Sequence, residues 1–305
     1  MFNLREQTRN FLHYCEFNKK LNSKTVKAYS IDLEQYIVSS SNTFDKEHLV
    51  EYIVLLHQKY KPRTAKRKIA CLKAFSNYLF FEDIIETNPF SKIKTSFKEP
   101  LILPKTIPLD VIQEMLACVY NELNNPVLTV YRQNEIIRDI AVLELLFATG
   151  ARISEICTLK ICNVDLINHS IKICGKGNRE RIIQIENIDV LKAIIEYHQS
   201  FKSLIECSGW FFINRLHNHL SEQSVRSMIN KYVKQIGYTG HITPHMFRHS
   251  FATFLLEEDV DIRYIQRLLG HSSITTTQIY THVSSAKQKE ILATRHPRNR
   301  FTINN

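Results

Sequence analysis

The sequence predicts a mainly α-helical protein with one small antiparallel β-sheet, organised as two domains joined by a linker. Apolar residues recur at helical spacing over the first 95 residues, a proline-punctuated polar stretch follows, and β-branched runs flank a glycine-rich turn further on. The 305 residues, 44% hydrophobic and 23% charged, have the composition of a globular protein with buried cores.

The first domain, residues 1–95, is predicted to be helical. Val26, Tyr29 and Leu33 illustrate the periodicity of one amphipathic face. The four predicted helices are Phe2–Asn18, Ser23–Ser39, His48–Lys59 and Thr64–Phe81, with Ser23 and Asp45 as N-cap candidates. Asn88, Pro89 and then Lys92–Lys105 form a polar stretch that is interrupted by prolines and shows little periodicity, and residues 96–107 are predicted to be the linker.

The second domain, residues 108–305, is predicted to be mostly helical around one β island. The turn Gly175–Asn178 joins two runs of β-branched residues and favours a hairpin. The three candidate strands are Val164–Ile167, Ile171–Cys174 and Arg181–Ile185. The stretch Tyr120–Arg138 is predicted to be a long connection.

Positive charge is concentrated in the first domain. The chain has 40 Lys and Arg against 30 Asp and Glu, a net charge of +10, and residues 1–95 hold 16 of the basic and 10 of the acidic residues. Such a balance favours a polyanionic partner, either nucleic acid or an anionic membrane surface. Residues 59–73 contain seven basic residues and no acid, typical of phosphate-backbone contact or of a solvated helix face. The candidate DNA-binding residues are Lys61, Arg63, Thr64, Lys66, Arg67 and Lys68.

Other compositional features narrow the class of protein. The sequence has no apolar run of about 18 residues and no signal-peptide pattern, so we expect a cytoplasmic protein without a membrane span. The seven cysteines are scattered and form no C-x-x-C pair, which favours reduced thiols over a disulfide framework or a zinc ribbon.

Three separated segments carry polar residues that packing alone would not select. In Thr149–Glu155, Arg152 is predicted at a helix start beside a glycine turn, where its guanidinium suits two phosphate oxygens. Glu155, one turn on, can orient Arg152, and a structural ion pair is the alternative interpretation.

The second segment, Thr243–Phe251, has an N-cap threonine followed by proline, a helix start. His245 and Arg248 share a face turned away from an apolar stripe that includes Phe247, so we expect both to point toward a surface or cleft. His245 and His249 have the spacing of a zinc helix, but the glutamate of H-E-x-x-H and a third ligand are missing.

The third segment is Leu268–Tyr280. Gly270 is predicted to end one helix, and Tyr280 follows His271 by nine residues. A lone tyrosine is commonly the edge of an apolar core. Lys176, at the tip of the predicted hairpin, is either a solvated turn residue or a mobile cation able to reach a bound anion and give up a proton.

Taken together, these segments closely resemble the catalytic domain of tyrosine recombinases, the phage integrase family. The matching segments, in order, are T-G-A-R-I-S-E, G-K-G-N-R-E-R, T-P-H-M-F-R-H-S-F-A-T and L-L-G-H-S-S-I-T-T-T-Q-I-Y-T-H. The helical first part resembles the core-binding domain of the family. From the length of 305 residues we expect no additional arm-binding domain and a simpler, Xer-like architecture.

The resemblance implies a role for each matched residue. Tyr280 would attack a DNA phosphodiester and form a 3′-phosphotyrosyl link. Arg152, Arg248 and His271 would hold the non-bridging oxygens. Lys176 would protonate the leaving 5′-oxygen, and His245 would act as general base on the tyrosine. Neither metal, ATP nor another cofactor is needed in this chemistry.

The resemblance also implies an assembly on DNA. Family members act as tetramers on paired sites of double-stranded DNA, through a Holliday junction, so we expect a homo-oligomer, with a related recombinase as a possible partner, in the cytoplasm at the nucleoid. The biological role would be resolution of chromosome or plasmid dimers, or integration and excision of a mobile element. The alternatives are a type IB topoisomerase-like enzyme, a non-catalytic DNA-binding regulator and a metallohydrolase built on His245, His249, His271 and His282.

Overall fold

The computed structural model describes residues 3–95, 104–175 and 180–270. The chain divides into two compact units, Met1–Leu101 and Ile102–Asn305, and the division falls within the predicted linker. No helix in the described part of the chain combines the length and the apolar character needed to cross a membrane. The assignment of the units as core-binding and catalytic domains stays a prediction.

The first unit is helical. Its α-helices are α1 (Leu4–His13), α2 (Ser23–Ser39), α3 (Lys46–Lys59) and α4 (Pro62–Phe81), with a π-helical turn at Tyr14–Asn18 and a 3-10 turn at Pro89–Lys92. Asp45 caps α3 by accepting from the backbone N–H of His48 at 2.9 Å, as predicted. The cap of α2 is Asn22 rather than Ser23, because the Asn22 side chain accepts from the Lys24 N–H at 2.8 Å. A single apolar core with Leu33 and Phe75 fully buried holds these helices together.

The second unit combines helices with a three-stranded sheet. Its helices are α5 (Leu109–Leu123), α6 (Val130–Thr149), α7 (Ile153–Cys157), α8 (Ile188–Ser208), α9 (Glu222–Gln235), α10 (Pro244–Glu257) and α11 (Ile262–Leu269). The strands β1 (Val164–Asp165), β2 (Ser170–Cys174) and β3 (Glu180–Gln184) form an antiparallel sheet in the order β1-β2-β3. Ile171 of β2 lies opposite Val164 on one side and Ile183 on the other.

The predicted connection Tyr120–Arg138 is wrong in extent. Helix α5 continues to Leu123 and α6 already begins at Val130, so residues 124–129 alone connect them. The first turns of α6 are polar and form ion pairs, for example from Arg132 to Glu122 and Glu135, which hides the helical period from a count of apolar residues. Helix α6 then runs through the core and delivers its C-terminus to the candidate site.

Candidate active site

The candidate site begins where α6 ends and α7 starts. Gly150 ends α6 in the left-handed conformation (φ 56°), and Arg152 is the N-cap residue of α7. Nη1 of Arg152 donates to Glu155 Oε1 at 2.8 Å, and the Arg152 backbone N–H donates to Oε2 at 2.8 Å. The predicted ion pair is therefore present, yet the Arg152 side chain keeps 33% of its surface exposed.

Glu155 is shared between two arginines. It is buried, and Arg181 of β3 donates from Nη2 to Oε2 at 2.7 Å and from Nη1 to Oε1 at 3.2 Å. Burial alone would raise the pKa of Glu155, but the hydrogen bonds from Arg181 and Arg152 outweigh burial and hold that pKa below its usual range. Glu155 is consequently a carboxylate at neutral pH. The cluster of two guanidinium groups and one carboxylate carries a formal charge of +1.

Arg248 does not point toward a surface, contrary to the sequence-based expectation. It is 4% exposed, and its guanidinium donates from Nη1 to the Gly150 carbonyl at 2.9 Å and from Nη2 to the Leu269 carbonyl at 2.7 Å. Its long side chain reaches the ends of two helices whose last carbonyls lack intrahelical partners. Arg248 thereby joins all three sequence segments: the end of α6, the start of α10 and the end of α11.

Glycine is required where α6 ends. A Cβ on Gly150 would lie 2.5 Å from Cδ1 of Phe251 and 3.0 Å from Cδ2 of Leu269, and the positive φ adds strain for any other residue. The close approach of α10 and α11 to this turn is what brings the Gly150 carbonyl within reach of Arg248.

The two histidines of α10 differ in environment. Partial desolvation of the His245 ring lowers its pKa, and the positive charges of Arg248, Arg226 and Arg152 lower it further. Burial likewise lowers the pKa of His249, to about 4, with smaller contributions from His245 and Arg248. Both imidazoles are therefore neutral at pH 7, and neutral imidazole can accept a proton. Within the described residues, no three His, Cys, Asp or Glu side chains cluster closely enough to hold a metal ion.

The predicted DNA-binding residues of the first unit divide into two groups. Lys61, Arg63 and Lys66 are exposed at the start of α4, and Thr64 is half-buried there. The Thr64 backbone N–H already donates to the Lys61 carbonyl at 2.9 Å. The Arg67 side chain is 45% exposed and forms an ion pair with Asp32 of α2.

Lys68 is a correction to the sequence-based set. It is 3% exposed, and its ammonium donates to Asp32 Oδ1 at 2.8 Å and to Gln35. The absence of acids from residues 59–73 misled the prediction, because the acid that pairs with Lys68 comes from another helix. A buried lysine in an ion pair is a structural element of the first unit, and we remove Lys68 from the candidate DNA contacts.

Three of the six predicted catalytic residues, Lys176, His271 and Tyr280, lie outside the described residues. Arg152, His245 and Arg248 are described, and Arg152 and Arg248 are linked through the end of α6. The sequence reasoning missed Arg181, although the G-K-G-N-R-E-R motif contains it. The available signal was the spacing on β3. Arg181 lies two residues before Ile183, so both side chains point to the inward face of the strand.

Comparisons with known proteins show the family to which the chain belongs. The family model described as "Phage integrase family" matches residues 105–287. A tyrosine recombinase of Agathobacter rectalis is 50% identical over 305 residues, covering 99% of each chain, and the tyrosine recombinase XerD of Listeria monocytogenes is 32% identical over 300 residues, covering 94% of this chain and 97% of that one.

A solved structure of the XerH site-specific recombinase bound to palindromic difH substrate superposes with a TM-score of 0.75 at 19% identity, covering 94% of this chain and 84% of that chain. This likeness concerns the fold. Because the family model spans more than half of the chain and the relatives match it almost end to end, the chain belongs to the phage integrase family of tyrosine recombinases.

Proposed function

We propose that this site-specific DNA recombinase cleaves and rejoins strands through a covalent bond between Tyr280 and a 3′-phosphate. In the cleavage step, the Tyr280 Oη–P bond forms and the P–O5′ bond breaks. His245 receives the tyrosine proton, and Lys176 supplies a proton to the departing 5′-oxygen. The reverse step restores the phosphodiester, so no nucleotide cofactor is consumed.

The observation that carries the proposal is the convergence of three sequence-distant segments on Arg248. Its guanidinium holds the Gly150 carbonyl and the Leu269 carbonyl at 2.9 and 2.7 Å. Arg152 begins α7 two residues after Gly150, and His271 follows Leu269 by two residues in the chain. Phosphoryl transfer depends on positioning and on charge stabilisation, and the two described arginines at this turn, Arg152 and Arg248, support such a role.

Arg152 is suited to hold a non-bridging phosphate oxygen. Its Nη1 is bound to Glu155, whereas its Nε and Nη2 donate to no acceptor among the residues that the structure describes. A guanidinium held on one edge by a buried carboxylate is pre-oriented and loses little entropy when it binds an anion. The buried charge of Arg248 acts on the same phosphate from within the protein, where the dielectric constant is low.

His245 is suited to the general-base role. Its lowered pKa keeps the imidazole neutral at pH 7, so the ring is able to receive a proton from a phenol. The cationic neighbours that lower this pKa also favour the phenolate form of a tyrosine brought to the site.

Duplex DNA is the proposed partner of both units. The exposed cations Lys61, Arg63, Lys66 and Arg67, together with Thr64, form a candidate backbone-binding surface at the start of α4. The XerH structure is a post-cleavage complex with its difH substrate, and the Tn1549 transposon integrase was solved in complex with transposon right end DNA; both support a DNA substrate here. A tetramer on paired recombination sites is the assembly that we infer from the family. The comparisons name recombinases, so they favour neither a topoisomerase nor a non-catalytic regulator.

The decisive experiment traps the covalent intermediate. Wild-type protein incubated with a nicked suicide substrate should form an adduct that survives denaturing electrophoresis. Tyr280→Phe should form no adduct while binding the same DNA with unchanged affinity, because only the phenolic oxygen is removed. Tyr264→Phe, which removes the hydroxyl of an exposed tyrosine on α11, is the matched control and should form the adduct at the wild-type rate. An adduct with Tyr280→Phe would contradict the proposal.

A further inference from the structure

Arg181 lies on the inward face of β3. The strand alternates, with Ile183 buried on one face and Glu180, Ile182 and Gln184 exposed on the other. The Arg181 side chain is 10% exposed. An arginine so placed needs several partners, because an unpaired buried charge is strongly destabilising.

The first partner of Arg181 is the carboxylate of Glu155, which it binds with both Nη atoms at 3.2 and 2.7 Å. The same two oxygens accept from Arg152 through Nη1 and the backbone N–H. Each carboxylate oxygen therefore accepts two hydrogen bonds. Without Arg181, Glu155 would be neutralised by Arg152 alone, and the Arg152 guanidinium could turn both Nη atoms onto the carboxylate and away from the phosphate.

The second partner of Arg181 is the end of α11. Its Nε donates to the Leu268 carbonyl at 2.7 Å, next to the Leu269 carbonyl that Arg248 holds. Gly270 allows this approach, because a Cβ there would lie 3.1 Å from Nη1 and 3.2 Å from Cδ of Arg181. Two arginines thus fix the last two carbonyls of α11, immediately before the segment that contains His271.

We propose that Arg181 is a positioning residue for strand cleavage, acting through Glu155 on Arg152 and through Leu268 on the C-terminal end of α11. This inference rests on the proposed function. In this role Arg181 contacts Glu155 and Leu268 rather than the substrate. It keeps the Arg152 guanidinium turned outward and preserves the net positive charge of the Arg152–Glu155–Arg181 cluster.

The test is a double-mutant cycle on single-turnover cleavage of the nicked suicide substrate, at saturating protein. Arg181→Met should slow adduct formation about 100-fold, the scale expected from a displacement of about 1 Å in a catalytic group. DNA affinity should change less than about threefold, because the phosphate-contacting residues remain. Arg181→Lys keeps the charge but loses the two-pronged contact, and should cleave at a rate between those of Arg181→Met and the wild type.

In an Arg152→Ala background, Arg181→Met should slow cleavage only a few-fold more, because the guanidinium that Arg181 orients is already absent. The matched control is Arg132→Met, which removes another arginine bridging two carboxylates, Glu122 and Glu135, and should leave cleavage unchanged. Thermal unfolding followed by circular dichroism identifies a temperature at which every variant is folded, and cleavage is measured at that temperature.

If the rate losses caused by Arg181→Met and Arg152→Ala multiply fully in the double variant, the inference is wrong. It is also wrong if Arg181→Met cleaves DNA at the wild-type rate. If Arg181→Met does not fold, the same cycle run with Arg181→Lys decides the question. Absence of an adduct with the wild-type protein would instead refute the proposed function, so the two failures are distinguishable.

Discussion

Each unit contains a buried carboxylate bound by two cationic side chains, but the two clusters leave different groups available. In the first unit, Asp32 binds Lys68 and Arg67, and Lys68 is buried with its ammonium shared between Asp32 and Gln35. In the second unit, Glu155 binds Arg152 and Arg181, and Arg152 remains one-third exposed.

The difference follows from where the cations lie on their elements. Lys68 is in the second turn of α4, facing α2, so its ammonium is enclosed by the first unit's own helices. Arg152 stands at the N-cap of α7, where the chain turns and where backbone N–H groups add positive potential. Beside a buried acid, a cation that faces the neighbouring helix, as Lys68 does, is enclosed, whereas Arg67 at the edge of the helix pair and Arg152 at a helix end keep exposed surface.

The largest expected effect concerns the cluster around Asp32 in the first unit. Asp32→Ala leaves the Lys68 ammonium buried without its carboxylate, and should lower the free energy of unfolding of the first unit by about 3–5 kcal/mol. Hydrogen exchange of the amides of α2 and α4 measures this loss. Glu34→Ala, on the same helix, removes an ion pair with Arg5 whose side chains are 54% and 61% exposed, and should cost less than about 1 kcal/mol. Equal losses would show that the Asp32 cluster is not structural.

The next largest effect concerns the cluster around Glu155 in the second unit. Arg152→Ala should raise the barrier to DNA cleavage by about 3 kcal/mol, or roughly 10²-fold in rate, because a preoriented charged donor is removed from the transition state. DNA affinity should change only a few-fold. Single-turnover adduct formation and fluorescence anisotropy separate the two quantities, with Arg132→Ala as control. A loss confined to affinity would assign Arg152 to substrate binding alone.

The smallest effect separates exposed from buried cations at the start of α4. Arg63→Ala should make the dependence of log Kd on log salt concentration less steep by about one, the value for one lost phosphate contact. Lys68→Met should leave that slope unchanged, since its ammonium is enclosed. Anisotropy titrations of labelled DNA at several salt concentrations measure both slopes. A reduced slope for Lys68→Met would restore Lys68 to the DNA contacts.

Local patterns predicted much of this molecule. Helical periodicity located α2 without error at either end, and the Asp45 cap and the Gly150 turn were readable because each depends on residues a few positions apart. The hairpin strands were found from β-branched runs around a glycine-rich turn. The first turns of α6 were predicted to be part of a connection, because Arg132 pairs with Glu122 of α5 and with Glu135 where apolar contacts would reveal a helix.

The sequence by itself determined the helical first unit, the small sheet of the second, the family and the identity of the candidate catalytic residues. Only the tertiary structure decided that Lys68 is buried, that Arg248 faces two helix ends and that Arg181 completes the Glu155 cluster. The physical reason is the separation along the chain between interacting residues. Periodicity, caps and turns follow from neighbours along the chain, whereas the environment of each of these charges is set by partners 21 to 98 residues away, which only the packed fold brings within hydrogen-bonding distance.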